Sequence, residues 1–472
     1  MLLQADSAPQ AAPGAVLQEG PQARLGSKRE LFDPPPPQEG QDGRGWRDLR
    51  RMITADQRQA GQLYRAFSDV EIKEGATVDQ VKRLAGRGVS LCGWTQIRGM
   101  ETLLMRVLRG NRLHSFLTGR QMCGLRWVCP VCTAARAEMD RQDVNDGLAA
   151  GRETGLWPVM LTLTARHSRA QDPAVLLGAI SRAEQRMKEG KVWRRLRART
   201  GGYVRVLEWT WSERHGHHPH FHLVLLVRAE SEGAAVAAVE ALRGRYLGQL
   251  DAAGLDGTSA AAQEHAFQVQ GAAATARYVT KWGMAEELTG AQRKDAGGGL
   301  TPWQLLRQSR TLGDPDARAQ AAAVWWQIIQ ATKGRAQLYK SQDWIELVEQ
   351  WRAVRPEEDL PPEPQPEMVM SLGARVAGDE ASPLWFHARR RTLAIREAAE
   401  SSLCLDAARA AVMDAIAGGL TDAALLDRVE AAEVDPGDLV EAEVLEPWPQ
   451  AAQAGLEHER HRKEHPFQAQ AG

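Results

Sequence analysis

The stretch His217-His218-Pro219-His220-Phe221-His222, followed by Leu223-Val224-Leu225-Leu226-Val227, places two histidines around one bulky apolar residue and continues as an apolar run. In a β-strand, residues two apart point to the same face. The spacing therefore predicts that His220 and His222 project together while Phe221 faces the opposite core. Two imidazoles side by side on a strand supply half of a metal site. A pair of histidines on an exposed strand face is the plainer alternative.

A carboxylate upstream extends this pattern. Residues 203–211 are rich in β-branched and aromatic side chains and predict a second strand. The polar residues 212–219, which include a glycine and a proline, predict a hairpin loop. Antiparallel pairing of the two strands would bring Glu208 close to His220 or His222.

This set of ligands is compatible with more than one chemistry. Two imidazoles and one carboxylate, with positions left open, suit Mg²⁺ or Mn²⁺ bound beside a phosphate, and they also describe a non-haem Fe(II) oxygenase. Glu208 could instead pair with an arginine at a strand edge. His218 is a reserve third ligand, although the proline after it indicates a turn position rather than the strand face.

A candidate nucleophile follows in the alanine-rich segment 272–282, which favours a helix. On a helix, Tyr278 and Lys281 are three apart and share a face. A tyrosine hydroxyl can attack phosphorus, and a nearby cation would favour the phenolate. A packed helical tyrosine is the alternative. The neighbouring Arg277 is a candidate DNA contact.

Three of the five cysteines, with either a fourth cysteine or a histidine, predict a zinc site. Cys129 and Cys132 form a Cys-x-x-Cys pair, and Cys123 lies six residues before it. Either Cys92 or His114 could complete a tetrahedral structural zinc site. A thioredoxin-type redox pair is the weaker alternative, and the lone Cys404 is expected to be inert.

Charge is distributed unevenly along the 472 residues, although the net charge is only −1. Residues 92–345 contain 34 Lys and Arg against 23 Asp and Glu, whereas residues 346–472 contain 12 against 25. The basic middle region suits binding to a nucleic-acid backbone. Its densest part is the cluster Lys191, Arg194, Arg195, Arg197 and Arg199, for which a solvated helix face is the alternative.

Taken together, the motifs resemble those of the rolling-circle replication initiators of bacterial plasmids, members of the HUH endonuclease superfamily. Three segments stand in that family's order: Met160-Leu161-Thr162-Leu163-Thr164, His218-Pro219-His220-Phe221-His222 and Tyr278-Val279-Thr280-Lys281-Trp282. Gly202-Tyr203-Val204-Arg205 and Lys333-Gly334-Arg335 are also similar to family segments. The resemblance covers roughly residues 90–345. One departure is Ala274, where some relatives carry a glutamate that is proposed to activate water when replication ends.

The order of elements predicts an α+β fold. Strands at 157–164, 203–211, 220–227 and near 264–270, with helices at 173–199, 232–250 and about 272–288, give the β-α-β-β-α-β order of the ferredoxin-like split βαβ. The resemblance implies the same fold, a ferredoxin-like or RRM-like palm. We expect helices on one face of the sheet, with the three metal ligands on the open face.

Composition also predicts how the chain is divided. We expect a disordered segment 1–45, a helical region 46–90, a zinc-binding segment 91–150 and the endonuclease domain with its helical extension at 151–345. A linker at 355–382 and an acidic helical tail at 383–472 would follow. Without an evident signal peptide or an apolar stretch of membrane-spanning length, the protein is expected in the cytoplasm.

The resemblance implies an enzyme that nicks and rejoins one DNA strand at a plasmid origin. Mn²⁺ or Mg²⁺ held by His220, His222 and Glu208 would polarise the phosphate, and Tyr278 would form a 5′-phosphotyrosine with help from Lys281. Origin DNA, single-stranded or as a hairpin, and the host helicase and replication machinery are the implied partners. A relaxase, a transposase of the same superfamily and a non-catalytic zinc-dependent DNA-binding regulator remain alternatives.

Overall fold

The computed structural model describes residues 43–73, 88–89, 92–97, 99–109, 112–280, 299–354, 366–374, 385, 388 and 391–417. The described helices are α1 (Gly43–Lys73), α2 (Pro130–Glu153), α3 (Pro173–Lys188), α4 (Lys191–Arg197), α5 (Glu232–Glu240), α6 (Arg243–Ala252), α7 (Ala260–His265), α8 (Ala272–Thr280), α9 (Pro302–Thr311), α10 (Pro315–Thr332), α11 (Gln342–Ala353), α12 (Thr392–Ala399) and α13 (Leu405–Ala417). The described strands are β1 (Glu101–Arg109), β2 (Arg112–Leu117), β3 (Trp157–Leu163), β4 (Thr200–Ser212), β5 (Gly216–Val227), β6 (Phe267–Gln270), β7 (Leu338–Lys340) and β8 (Glu367–Ala374).

A five-stranded antiparallel sheet forms the centre of the protein, in the order β6-β3-β5-β4-β7. Its first four strands follow the β-α-β-β-α-β order along the chain, with β5 inserted between β3 and β4. This is the strand arrangement expected for the split βαβ. The α+β class with antiparallel sheets is therefore confirmed, and the fold is compatible with a palm.

One face of the sheet is covered by helices. Leu161 of β3, Leu207 of β4 and Leu223 of β5 point into a core that they share with Ile180 of α3 and Trp325 of α10. The predicted long helix 173–199 is instead two helices, α3 and α4, which Glu189 and Gly190 separate. The helical extension expected after residue 300 packs into this same core through α9 and α10.

The other face is half covered, so the expectation of an open face was wrong. Val206 of β4 and Leu226 of β5 pack there against Val144 of α2 and against Trp344 and Val348 of α11. Long alternating strands leave apolar side chains on both faces, and those on this face need helices of their own. The remaining half of this face is polar and bears Glu208, His220 and His222.

The hairpin is tighter than predicted. β4 runs to Ser212 and β5 begins at Gly216, so only three residues connect them. The prediction of a loop over 212–219 was therefore wrong. Pro219 is tolerated in β5 because β3 pairs with β5 only as far as Phe221, which leaves one side of β5 without a partner at Pro219.

A second sheet, in the order β2-β1-β8, lies outside the central one. Leu104, Leu117 and Leu372 share its core with Ile395 of α12 and Val412 of α13. Composition predicts a linker at 355–382, but residues 367–374 of that range form the strand β8. Residues 1–42 and 418–472 lie outside the described residues.

The buried Arg106 ties this second sheet to the C-terminal helices. Its guanidinium donates to Glu367 Oε1 at 2.5 Å, to the carbonyl of Ser402 at 2.6 Å and to that of Leu403 at 3.0 Å. An arginine needs several acceptors to be stable when buried.

Among the helices that the structure describes, none has the length and apolar character of a membrane-spanning segment.

The contact between Gly202 and α11 gives a test of the packing on the second face. Gly202 has φ +121, and a Cβ there would lie 2.6 Å from the Cα of Trp344. We expect Gly202→Ala to lower the free energy of unfolding by about 2 kcal/mol or more, because backbone strain and overlap add. Gly248→Ala is the control, since its Cβ meets nothing within 4 Å. Urea unfolding measures both, and equal stability of the two variants would contradict the packing.

Candidate metal centre

The strand register brings three ligand groups together on the polar half of the second face. Glu208 lies opposite His220 across the hairpin. Glu208 Oε2 is 3.3 Å from His220 Nε2 and 3.5 Å from His222 Nε2. One ligand atom from each of the three residues lies within 4.8 Å of the others. Neighbouring ligands around an octahedral ion with 2.1 Å bonds are roughly 3.0 Å apart, so the geometry fits a cation with a small adjustment.

Each imidazole is oriented by a hydrogen bond from its other nitrogen. His220 Nδ1 lies 3.2 Å from the carbonyl oxygen of His218. His222 Nδ1 lies 2.9 Å from the hydroxyl of Thr162 on β3. A carbonyl only accepts, so His220 Nδ1 carries a proton and its Nε2 faces Glu208. This is how metal-binding histidines are commonly held.

The carboxyl group of Glu208 is in the ionised form that binds cations. Burial raises the pKa of Glu208, but the His222 charge and hydrogen bonds from both imidazoles outweigh it and hold that pKa well below its usual range. Glu208 is therefore ionised at neutral pH. A divalent ion between the three groups would take the place of these contacts between the imidazoles and the carboxylate.

The histidine row continues beyond these ligands. His218 lies in β5 opposite Thr210, on the same face as His220, so its prediction as a turn residue was wrong. The His218 ring centroid is 5.1 Å from that of His220 and 5.0 Å from that of His167. Burial, with the neighbouring imidazoles, lowers the pKa of His218 to about 3, so it is neutral. Sequence reasoning missed His167; its only signal was its position just after the β3 motif.

His217 has a structural position instead. Its side chain lies on the opposite face, where Trp209 Nε1 donates to its Nδ1 at 3.2 Å and its Nε2 lies 2.9 Å from Gln327 Oε1. Burial lowers the pKa of His217, and the hydrogen bond that its Nε2–H donates to Gln327 Oε1 opposes this effect. It connects the hairpin to α10 and does not face the candidate ligands.

The helix that carries the candidate nucleophile lies close to this face. α8 packs against β3 and against α2, the helix that covers part of the same face. Its first turn is fixed by Glu232, whose Oε1 accepts from the Ala272 N–H at 2.6 Å. Tyr278 lies on the backbone of α8. The side chains of Arg277 and Tyr278, and the whole of Lys281, lie outside the described residues.

The four cysteines form a second cluster. The sulfurs of Cys92, Cys123, Cys129 and Cys132 all lie within 4.8 Å of one another. Cys92 Sγ is 3.4 Å and Cys123 Sγ is 3.6 Å from Cys132 Sγ. Tetrahedral zinc with bonds of about 2.3 Å requires sulfurs roughly 3.8 Å apart, so the cluster fits that ion.

The structure distinguishes between the two candidates for the fourth position. His114 lies in β2, opposite Val107 of β1, and is not part of the cysteine cluster. Cys92 is 3% exposed and lies among the other three thiols. Hydrogen bonds from these thiols lower the pKa of Cys92, whereas burial raises that of Cys129. Cys404 is exposed and lies apart from the cluster.

The arginine cluster is far from the candidate metal ligands. Arg194, Arg195 and Arg199 are exposed on and after α4, but Arg197 pairs with Asp343 and contacts Thr200. Because α4 adjoins the start of β4, eight residues before Glu208, the two sites are separated by roughly 25 Å along the strand. These arginines do not reach a phosphate at the metal ligands.

The part of the chain that contains the three candidate ligands is similar to known proteins. Residues 114–231 match the family model described as "Replication protein". The chain is 30% identical over 141 residues to the neomycin resistance protein of Streptomyces cyanogenus, covering 24% of this chain and 32% of that protein. It is 27% identical over 147 residues to Protein rep of Streptomyces lividans, covering 25% and 32%.

These similarities cover only part of the chain. The chain spans about a third of the length of the curated relatives it matches. The family match contains Glu208, His220, His222 and three of the clustered cysteines, and it ends before Tyr278. No solved structure matches the chain.

Thr162 gives a test of the ligand geometry. Thr162→Val retains the shape of the side chain but removes the hydroxyl at His222 Nδ1. We expect Mn²⁺ affinity to fall roughly 10- to 100-fold, as for other residues that orient a ligand. Isothermal titration measures it. Thr164→Val is the control, because the Thr164 hydroxyl has no hydrogen-bond partner among the described residues. Equal affinity of both variants would contradict the proposed orientation.

The thiol cluster makes a separate prediction. We expect one zinc ion per chain by elemental analysis, and its loss in Cys132→Ser, because a tetrahedral thiolate site needs all four sulfurs. Unfolding should then occur at lower temperature. The control Cys404→Ser should keep both the zinc and the melting temperature. Retention of zinc by Cys132→Ser would exclude this cluster as the site.

Proposed function

We propose that this protein initiates plasmid rolling-circle replication as an HUH-type endonuclease that nicks and rejoins single-stranded origin DNA. One observation carries the proposal: the Glu208 carboxylate lies within 3.5 Å of both His220 and His222, inside the segment that matches replication proteins. Two imidazoles and an ionised carboxylate suit Mn²⁺ or Mg²⁺, the ions that accompany phosphate chemistry.

In this proposal Glu208, His220 and His222 would hold a cation, which would polarise the scissile phosphate. Tyr278 attacks phosphorus through its hydroxyl oxygen. A Tyr–O–P bond forms as the P–O3′ bond breaks; the phenol loses its proton and the departing 3′-oxygen gains one, so the proton count is unchanged. The products are a 5′-phosphotyrosine and a free 3′-hydroxyl. The 3′-hydroxyl primes synthesis by the host polymerase, and the host helicase unwinds the duplex. The reverse reaction joins the strand. Lys281 holds the phosphate or the phenolate.

The surrounding elements give each group its place. Thr162 and the His218 carbonyl fix the rings of His222 and His220. α8 rests on β3, beside the strand that carries the histidines, which supports Tyr278 as the nucleophile. Zinc at the four cysteines would hold the segment before α2. The arginines of α4, distant from the metal, would contact origin DNA outside the nick, as would Arg277 closer to it.

Tyrosine substitution tests the nucleophile. The protein is incubated with Mn²⁺ and a single-stranded oligonucleotide that contains the plasmid's own candidate origin, and covalent adducts are separated on a denaturing gel. We expect a protein–DNA band that disappears with chelator and with Tyr278→Phe, at a loss of at least about 10³-fold in rate because no other group replaces the phenolate. Tyr64→Phe, which keeps the ring packed against Trp326, is the control.

Two outcomes would redirect the proposal. A band that persists in Tyr278→Phe would assign the nucleophile to another residue. DNA binding without any covalent band, in the presence of Mn²⁺ and a correctly folded protein, would favour a non-catalytic zinc-dependent DNA-binding regulator. A band formed on transfer-origin or transposon-end DNA instead would indicate a relaxase or a transposase.

A further inference from the structure

A concentration of positive charge lies where α3, the end of α10, β4 and β7 meet. We call it the guanidinium surface and define it as Arg182, Arg205, Lys333, Arg335 and Tyr339. The Arg335 Nη1 donates to Ser181 Oγ at 3.1 Å, which places its guanidinium beside α3 and next to Arg182. The Arg205 guanidinium lies 5.7 Å from the Tyr339 ring centroid. Arg182, Lys333 and Arg335 are exposed, and Tyr339 is 44% exposed.

Opposite charge within this region is scarce. The buried Glu184 lies 3.4 Å from Arg205, but it is closer to Lys188, at 2.5 Å. Partial desolvation lowers the pKa of Arg335, and the positive charges of Arg205 and Arg182 lower it further. Like charges this close together destabilise the free protein. A bound polyanion would remove that cost.

The turn that presents Arg335 is fixed from several sides. Gly334 has φ +72, a conformation that favours glycine. The Arg335 N–H donates to the Thr332 carbonyl at 2.9 Å, and the Arg335 carbonyl accepts from Trp127 Nε1 at 3.2 Å. Trp127 belongs to the segment between the clustered cysteines. The Lys333-Gly334-Arg335 turn is therefore held in one conformation, although none of its residues has a role in the proposed nicking reaction.

The guanidinium surface cannot reach the scissile phosphate. Arg205 precedes Glu208 by three residues on β4, roughly 10 Å along the strand. An odd spacing also puts their side chains on opposite faces: Arg205 lies over the Phe221 ring at 5.0 Å, whereas Glu208 faces His220 and His222. The central sheet separates the two sites.

We propose that the guanidinium surface binds the phosphate backbone of duplex DNA that flanks the nicked strand. Guanidinium groups bind phosphate oxygens in a bidentate manner. Duplex is favoured over single strand because single-strand platforms stack successive bases on several rings, and Tyr339 is the one ring that the surface exposes by more than a third. The proposal rests on the proposed function only in taking DNA as the partner.

The test compares two double variants of the full-length protein. Arg182→Gln with Arg335→Gln removes two charges from the surface and leaves the Arg205–Glu184 contact intact. Arg58→Gln with Arg152→Gln removes two exposed arginines elsewhere and is the matched control. Binding to a labelled duplex of arbitrary sequence is followed by fluorescence anisotropy at several salt concentrations. Thermal unfolding checks that both variants are folded.

We expect the surface variant to lower the salt slope of duplex binding by about 1.8, since each phosphate contact contributes about 0.9. The same relation weakens duplex binding roughly 60-fold at 0.1 M salt relative to the wild type. The control variant should keep the wild-type slope. Both variants should nick a short single-stranded oligonucleotide at the wild-type rate, because neither alters the metal face.

Two results would overturn the proposal. An equal loss of duplex affinity in both double variants would show that only the net charge of the protein matters, and not the position of the arginines. A loss of single-strand binding with unchanged duplex binding would assign the surface to the single strand. Failure of the proposed function is distinguishable from both: wild-type protein would then form no covalent adduct, while the difference in duplex binding between the two variants would persist.

Discussion

The antiparallel register of β3, β5 and β4 is the constraint on which the candidate metal centre depends. It sets Glu208 opposite His220 and Thr162 opposite His222. Because side chains alternate between faces, a slip of one residue would turn both imidazoles into the apolar core. The buried residues between them, such as Phe221 and Leu223, prevent that slip by filling the core on the other face. Burial of apolar side chains on one face of the sheet thus fixes the positions of the polar ligands on the other face.

The uneven covering of the second face creates the site. α2 and α11 protect the apolar half, and close approach at Gly147 and Gly202 lets Trp344 of α11 lie directly on α2 and β4. The polar half is left for the ligands, with Glu208 retaining 36% side-chain exposure. α8, on the same side, brings the backbone of Tyr278 near this face.

Much of this arrangement could be predicted from local patterns. The period of two in residues 220–227 predicted which side chains share a face, and the spacing of Cys123, Cys129 and Cys132 predicted their cluster. Hairpin length could not be predicted, because a polar run beside Pro219 is typical of a loop and only the absence of a third strand makes it tolerable in β5. Nor could the pairing of β8 with β1, since a short segment more than 250 residues away carries no local sign of its partner. His167 was missed for a similar reason, because its proximity to His218 comes from tertiary packing.

The central claim is that Glu208, His220 and His222 form the site of the catalytic cation. Anomalous diffraction at the manganese edge, from crystals grown with Mn²⁺, tests it most directly. The account predicts a peak bonded to Glu208 Oε2 and to the Nε2 atoms of both histidines, which disappears in crystals of Glu208→Ala. A manganese peak bonded to other residues, or one that persists unchanged in that variant, would contradict it.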